Sequence, residues 1–535
     1  MNPRALAAVV TASLFLTPGA VAQQQEAHEH DGRQLGRVTF PVSCNPEAQR
    51  RFEHAMAVLH SFWWQEGGRA FNSVLEADPD CAMAHWGLAL NAWGNPFAGG
   101  PSGPALTRGT EAARRASSHP SQSPRERGFI AAGAALYRNA EASSNALRLK
   151  AYADTMARLY RDFPNDTEVA IYHALALVAT APRTDTTFAR QKQAAAILDP
   201  LFARYPEHPG LAHYVIHTTD SPRLAALGLH AARRYARIAP SAPHAQHMPS
   251  HIFVRLGLWD ETIASNWESY RAGIAHAKAS GLSGGTGEEL HALDYAVYGY
   301  LQQGQDSAAR AAVATGQKTR VSPQNMLVGN YNGTAMAARV PLERSDWRAA
   351  ASFPVQPSGV TGMLSHFTRA IGAARSGQIV AAKREVAALN TITSKLVEAD
   401  EYWGRVAGIK RDAAAAWLRF AQGDTIAALS LAAAAADSEE VTDKHPVTPA
   451  ELLPARELLG DMLFASGRYP EARKAYKATL AREAGRARSR FGAARAAESA
   501  GDAAAARTDY LEYLKLMSEA DGSRPELATA RAFVR

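Results

Sequence analysis

Histidine is where this chain concentrates residue types that could do chemistry. Of its 18 histidines, a group lies between His208 and His291. Two pairs in that group are four residues apart: His213 with His217 on "AHYVIHTTD", and His247 with His251 on "HMPSHIFVRLGLW". On a helix this spacing sends both side chains to one face, at a separation that suits one ion. His291 or Asp294 could complete a shell around His247 and His251, and His217 could enter it from the preceding helix. Imidazoles with a carboxylate suit a borderline ion, zinc or copper first. His244 stands seven residues before His251, about 10 Å along a helix axis, so one ion could hardly take all three histidines of that segment. Pro249 adds a constraint, because proline breaks a helix interior but fits its first position. A helix starting there leaves His247 in the preceding loop. Two other readings stand beside the metal. A groove rich in His, Arg and Tyr can bind peptide termini or carboxylates, and packed imidazoles can simply satisfy carbonyls or stack on aromatics, as His213 with His173.

The elements that must position these residues announce themselves as a repeat. A glycine is followed by Ala at plus five and a bulky or apolar residue at plus nine. The copies are Gly304…Ala309…Val313, Gly377…Ala382…Val386, Gly423…Ala428…Ala432, Gly467…Ala472…Tyr476 and Gly501…Ala506…Tyr510. The last two are 34 residues apart, and Gly460 is matched by Ala494 at the same spacing. Such a period means stacked supersecondary units. Glycine takes the turn after one helix, Ala lets the next helix pack close, and the residue at plus nine plugs the gap one turn further on. No region alternates with period two for long enough to argue for a sheet.

This pattern resembles the tetratricopeptide repeat (TPR), best over Glu457–Leu514 and including "GRYPEARKAY". Looser copies run from Phe62 to Pro79 and over Gly257–Glu261, so the resemblance spreads over 46–520. It implies an all-α, right-handed α-solenoid of stacked helix–turn–helix units. "CAMAHWGLAL" (81–90) and the 247–259 segment also resemble exported bacterial proteins of this type, a likeness that brings no reaction with it. In the TPR family, positions 2, 5, 9 and 12–13 of the first helix face the concave groove. Counting back from Gly257 puts His244, His247, His251 and Val254–Arg255 there. Counting from Gly304 puts His291, Asp294, Tyr298 and Leu301–Gln302 opposite them, with His217 at position 12 of an upstream unit. Trp417 falls at position 9 before Gly423, where it would stack on a ligand or pack in the core.

Residues 1–22 read as a secretory signal peptide, with Arg4, an apolar run Ala5–Leu16 and cleavage after Ala22. Residues 23–43 read as a disordered polar segment, 44–436 as the N-terminal and central array, and 450–520 as the C-terminal repeats. The break at 437–449 is a boundary or an ordinary inter-repeat loop. Thr184–Tyr205 and Lys395–Phe420 read as long helices. No later run is apolar enough to span a bilayer. Export to an oxidising compartment makes Cys44 and Cys81, each just ahead of a first helix, a disulfide; two buried thiols are the alternative. The formal charge of +7 is modest and spread out. Its one concentration, Arg468–Arg495, lacks interleaved aromatics for nucleic-acid bases and reads as a solvated helix face.

Two functions follow. One is a binding scaffold whose groove, anchored by Arg255, Tyr298 and the histidines, takes a protein, peptide or small polar ligand. The other is a metal-dependent enzyme or metal-handling protein built on His247, His251 and His291, with His217, His244 or Asp294 as further ligands.

Overall fold

The computed structural model describes residues 34–535 apart from 98, 120–122, 183–184, 323–325 and 523. The expected signal peptide and residues 23–33 lie outside the described residues. Residues 34–535 make one compact unit. Among the described residues are 26 helices, and the sole extended pairing is an isolated bridge between Gly285 and Val321.

Consecutive helices pack on one another, and so do the first helices of successive pairs. Glu288–Gln302 lies on Met326–Glu343, then Gly359–Arg375, Glu401–Ala421, Ala455–Ala465 and Ala487–Ser499. This double set of contacts defines a TPR-like α-solenoid: the first helices form a continuous inner layer and the second helices cover it. The motif glycines 304, 377, 423, 467 and 501 all have φ between +73° and +91°, the left-handed region that a side chain resists. The alanines five residues later, 309, 382, 428, 472 and 506, are wholly buried. Tyr476, at plus nine, is pressed so closely that a Cβ at Gly460 or Gly492 would stand 2.9 or 2.6 Å from its ring.

The structure departs from the sequence reading in several places. Residues 34–43 are ordered: the Phe40 ring lies 5.3, 5.8 and 5.1 Å from Phe52, Trp86 and Phe129, and the Val42 N–H donates to Gln49 at 2.8 Å. A polar composition hid one buried aromatic anchor. Lys395–Phe420 is two helices, not one. Ile379–Ala399 ends, Asp400 extends, and its carboxylate accepts from the Trp403 N–H at 2.9 Å to start Glu401–Ala421. The basic stretch is a solvated face only in part: Arg468 and Lys474 are exposed, but Arg486 and Arg488 turn inward. Arg486 is fully buried, 2.7 and 2.9 Å from the Glu457 oxygens and 2.9 Å from Glu343. Arg488 reaches the same Glu457 at 2.9 Å and Asp461 at 3.0 Å. These arginines sit on an inner-layer helix, where a charge survives only if it is paired. A further helix, Pro525–Val534, extends the array beyond 520.

The 437–449 break lies on the inner layer. Tyr295 Oη donates to the carbonyls of Pro446 and Thr448 (3.1 and 3.2 Å). The buried Arg339 donates to Thr448 Oγ1 at 2.8 Å and the Ala450 carbonyl at 2.9 Å. The segment therefore covers the central units from within.

Cys44 and Cys81 are bonded, 37 residues apart. They tie the approach to Pro46–His60 to the N-cap of Ala82–Trp93. Replacing both with Ser should lower stability by roughly 4 kcal/mol through the lost loop constraint, read as a lower denaturant midpoint. Glu457→Ala should cost about 3–5 kcal/mol, because it removes a buried carboxylate that pairs with both Arg486 and Arg488. Glu471→Ala, on the exposed pair with Arg468, should leave the midpoint unchanged.

Candidate metal centre

Residues 243–256 form two short helices, Pro243–His247 and Pro249–Leu256, joined through Met248 in helical geometry (φ −53°, ψ −35°). Pro249 thus interrupts the hydrogen-bond ladder without diverting the chain. His247 ends the first helix instead of falling into a loop, and its Nε2 stands 3.0 Å from Nε2 of His251. The His291 ring, from Glu288–Gln302, is 4.3 Å from that of His247, centroid to centroid. One ligand atom from each of the three lies within 4.8 Å of the others, and all three residues are buried.

Hydrogen bonds to the opposite ring edges decide what these nitrogens are. His247 Nδ1 is 2.6 Å from Asn266 Oδ1, and Asn266 Nδ2 donates to the Thr262 carbonyl at 2.7 Å. The amide is therefore oriented oxygen-first, and His247 must donate from Nδ1. His291 Nδ1 faces Asn332 Oδ1 at 3.5 Å, with Asn332 Nδ2 likewise tied to the Val328 carbonyl at 2.9 Å. His251 Nδ1 donates to Asp220 Oδ2 at 2.8 Å. A neutral imidazole protonated at Nδ1 presents a bare lone pair at Nε2. Burial, reinforced by the neighbouring imidazoles, holds the His247 pKa well below its usual value. Burial also takes His251 down to about 4, against the pull of Asp220. Burial raises the Asp220 carboxyl, but Lys444, Arg255 and the bond to His251 outweigh it and keep the group ionised. The Tyr295 hydroxyl lies 3.4 Å from His251 Nε2, yet its single proton is nearer the Pro446 and Thr448 carbonyls.

His217 does not join this trio. It forms another with His213 and His244, again with one ligand atom each within 4.8 Å. His213 Nε2 and His217 Nε2 are 3.0 Å apart. His213 meets the His60 carbonyl through Nδ1 at 2.6 Å and stacks on Tyr235, and His173 stacks on Tyr160. A third cluster, His60, Glu168 and His208, differs in kind. Glu168 accepts from both imidazoles at 3.1 and 2.9 Å, Tyr214 Oη meets His60 Nδ1 at 3.1 Å, and His208 Nδ1 accepts from Leu211. Every ring nitrogen there has a protein partner, so that cluster is a closed structural network.

The other expected ligand contacts are engaged inside the protein. Asp294 is fully buried against Arg339 at 2.7 Å and does not enter the histidine shell. Arg255 is held by Asp220 at 2.8 Å and Asp443 at 3.2 Å. Tyr298 is wholly buried, its hydroxyl between Glu483 and Arg486, each at 3.2 Å. Trp417 packs in the core beneath Arg375, whose guanidinium lies 4.3 Å from the ring. These are corrections to the open-groove expectation, and their cause is common: neighbouring inner helices and the 441–454 segment fill the space the groove count left empty. Sequence reading missed Asp220, Asn266, Glu288 and Asn332. Only Asp220, three residues after His217 on "HTTD", carried a local signal.

A cavity of about 1110 Å³ extends as far as His217 and as Asp220, the partner of His251, and is lined among others by Phe97, Arg223 and Lys444; His247, His251 and His291 do not line it. No described helix is long and apolar enough to cross a membrane.

No protein-family model matches the chain, and no curated protein sequence matches it significantly. Among solved structures, it is similar to an IFIT1 monomeric mutant with Gppp-AAAA (13% identity, 77% of this chain and 85% of that one, TM-score 0.34). It is also similar to the human IFIT1 dimer with m7Gppp-AAAA (12%, 78% and 87%, TM-score 0.33). A third is yeast Tom70 (11%, 91% and 95%, TM-score 0.26). At these scores the likenesses carry no argument about binding.

The tautomers can be observed directly. In chelator-treated protein, imidazole 15N spectra should show His247 and His251 neutral and protonated at Nδ1. A proton shared between the two Nε2 atoms would contradict the geometry.

Proposed function

We propose that this TPR-like repeat protein is an exported metalloprotein, with a transition-metal ion, zinc or copper, held by His247, His251 and His291. The reading is carried by two bare Nε2 atoms facing each other at 3.0 Å with both Nδ1 atoms committed as donors. Two buried lone pairs so placed repel unless something positive stands between them, and burial opposes a proton there. A small displacement suffices for an ion: at metal–nitrogen distances of about 2.0–2.1 Å, two ligands of a tetrahedral ion stand roughly 3.3 Å apart. Asn266, Asn332 and Asp220 supply the outer hydrogen bonds that metal-bound imidazoles characteristically have.

Three nitrogen ligands are the count of catalytic rather than structural zinc sites, since a fourth position stays open for water or substrate. With the adjoining cavity, this favours a metal-dependent enzyme acting on a small polar molecule over a passive scaffold. The scaffold reading loses its anchors, because Arg255 and Tyr298 are already paired internally. Export is supported by the expected signal peptide and by the Cys44–Cys81 bond.

Protein purified from the exported fraction should carry at least one tightly held transition-metal ion per chain by elemental analysis. His251→Ala should remove one ion equivalent while the helical circular dichroism stays unchanged. Asn266→Ala should weaken affinity about 10–100-fold through loss of ring orientation. Wild-type protein that holds no ion after loading with zinc or copper would sink the reading.

A further inference from the structure

The second histidine trio shares part of the first one's construction, with acceptors facing Nδ1 of His213 and His244, and nothing in the first site requires it. His213 donates from Nδ1 to the His60 carbonyl at 2.6 Å, which leaves its Nε2 bare toward His217 Nε2 at 3.0 Å. His244 turns Nδ1 toward the Glu288 carboxylate at 3.5 Å, and its Nε2 is buried without a hydrogen-bond partner. An unsatisfied buried nitrogen is costly, so its persistence beside two other inward nitrogens points to a ligand.

The surroundings hold the rings in place. Phe62 adopts a left-handed backbone (φ +52°), unusual for a bulky residue. Its ring lies 4.4, 5.6 and 5.7 Å from His213, His217 and His244, centroid to centroid. Phe97 stacks on the outer face of His217 at 4.4 Å. The two trios adjoin: the His244 and His247 rings are 6.2 Å apart, and His217 and His251 are 6.5 Å apart.

We propose that His213, His217 and His244 hold a second transition-metal ion beside the one at His247, His251 and His291. The centre is then dinuclear, with three imidazoles on each ion and His217 facing the cavity. The proposal rests on the metal reading of the first trio. Paired ions suit a substrate that can bridge them, such as an oxyanion or a small oxygen-bearing molecule, entering from the cavity.

The test uses the full-length exported protein, stripped with chelator and reloaded with Cu(II) alone or Zn(II) alone. Wild type should bind two ions per chain. His217→Ala and His244→Ala should each bind one, and His251→Ala should keep one. With Cu(II), electron paramagnetic resonance of the wild type should integrate to less than one spin per copper because the ions couple. His217→Ala should restore one spin per copper, with its circular dichroism unchanged to show the fold is retained. A wild type that binds one ion, unaffected by His217→Ala and His244→Ala, overturns the second site and leaves the first standing. A wild type that binds none overturns both.

Discussion

The site depends on which edge of each imidazole is already committed. Within the inner layer, acceptors take Nδ1 of four histidines, a backbone carbonyl for His213, Asn266 for His247, Asp220 for His251 and Asn332 for His291, while the partly exposed Glu288 carboxylate faces Nδ1 of His244 at 3.5 Å. In a neutral ring that choice leaves Nε2 as a lone pair. The scaffold then points these lone pairs at one another. Structural histidines are arranged in the opposite way, as at His60, Glu168 and His208, where each ring nitrogen meets its own partner. Contrast between clusters of similar composition separates a ligand set from a packing solution.

The two asparagines show how local structure serves this purpose. Asn266 and Asn332 lie on different helices, yet each donates its amide to the carbonyl four residues back in its own helix. Such a back-bond locks the side chain and turns its oxygen toward an imidazole on a neighbouring helix. The 441–454 segment adds the remaining wall. It brings Lys444 to 3.9 Å from Asp220 and occupies Tyr295 and Arg339 with its own backbone carbonyls. The inner face is thereby covered over the polar centre, with a cavity that extends as far as His217 and Asp220.

Part of this was legible in the chain. Glycines at fixed distances before buried alanines announced helix–turn–helix stacking, because only glycine accepts the left-handed turn and only a small residue permits the close approach. The same count placed His247, His251 and His291 on facing helices, where the structure has them. It failed at Asp294, Tyr298 and Arg255, since a register says which way a side chain leaves its helix and nothing about what meets it there. It also failed to sort the histidines. His213 and His217 share a face with each other, but whether they join His244 or His251 depends on how the Pro209–Thr219 helix sits against residues 243–256.

The sequence by itself determined the repeat, the all-helical class and the crowding of imidazoles into one stretch. Each follows from spacing along a single chain direction or from residue chemistry alone. Tertiary structure decided the rest: the division of six histidines into two trios, the protonated edge of each ring, the burial of Arg486 and Arg488, and the insertion of 441–454. Those depend on partners that are distant in sequence, such as Asp220 with His251 and Asn332 with His291. Only packing helices at contact distance can bring a particular acceptor to a particular nitrogen.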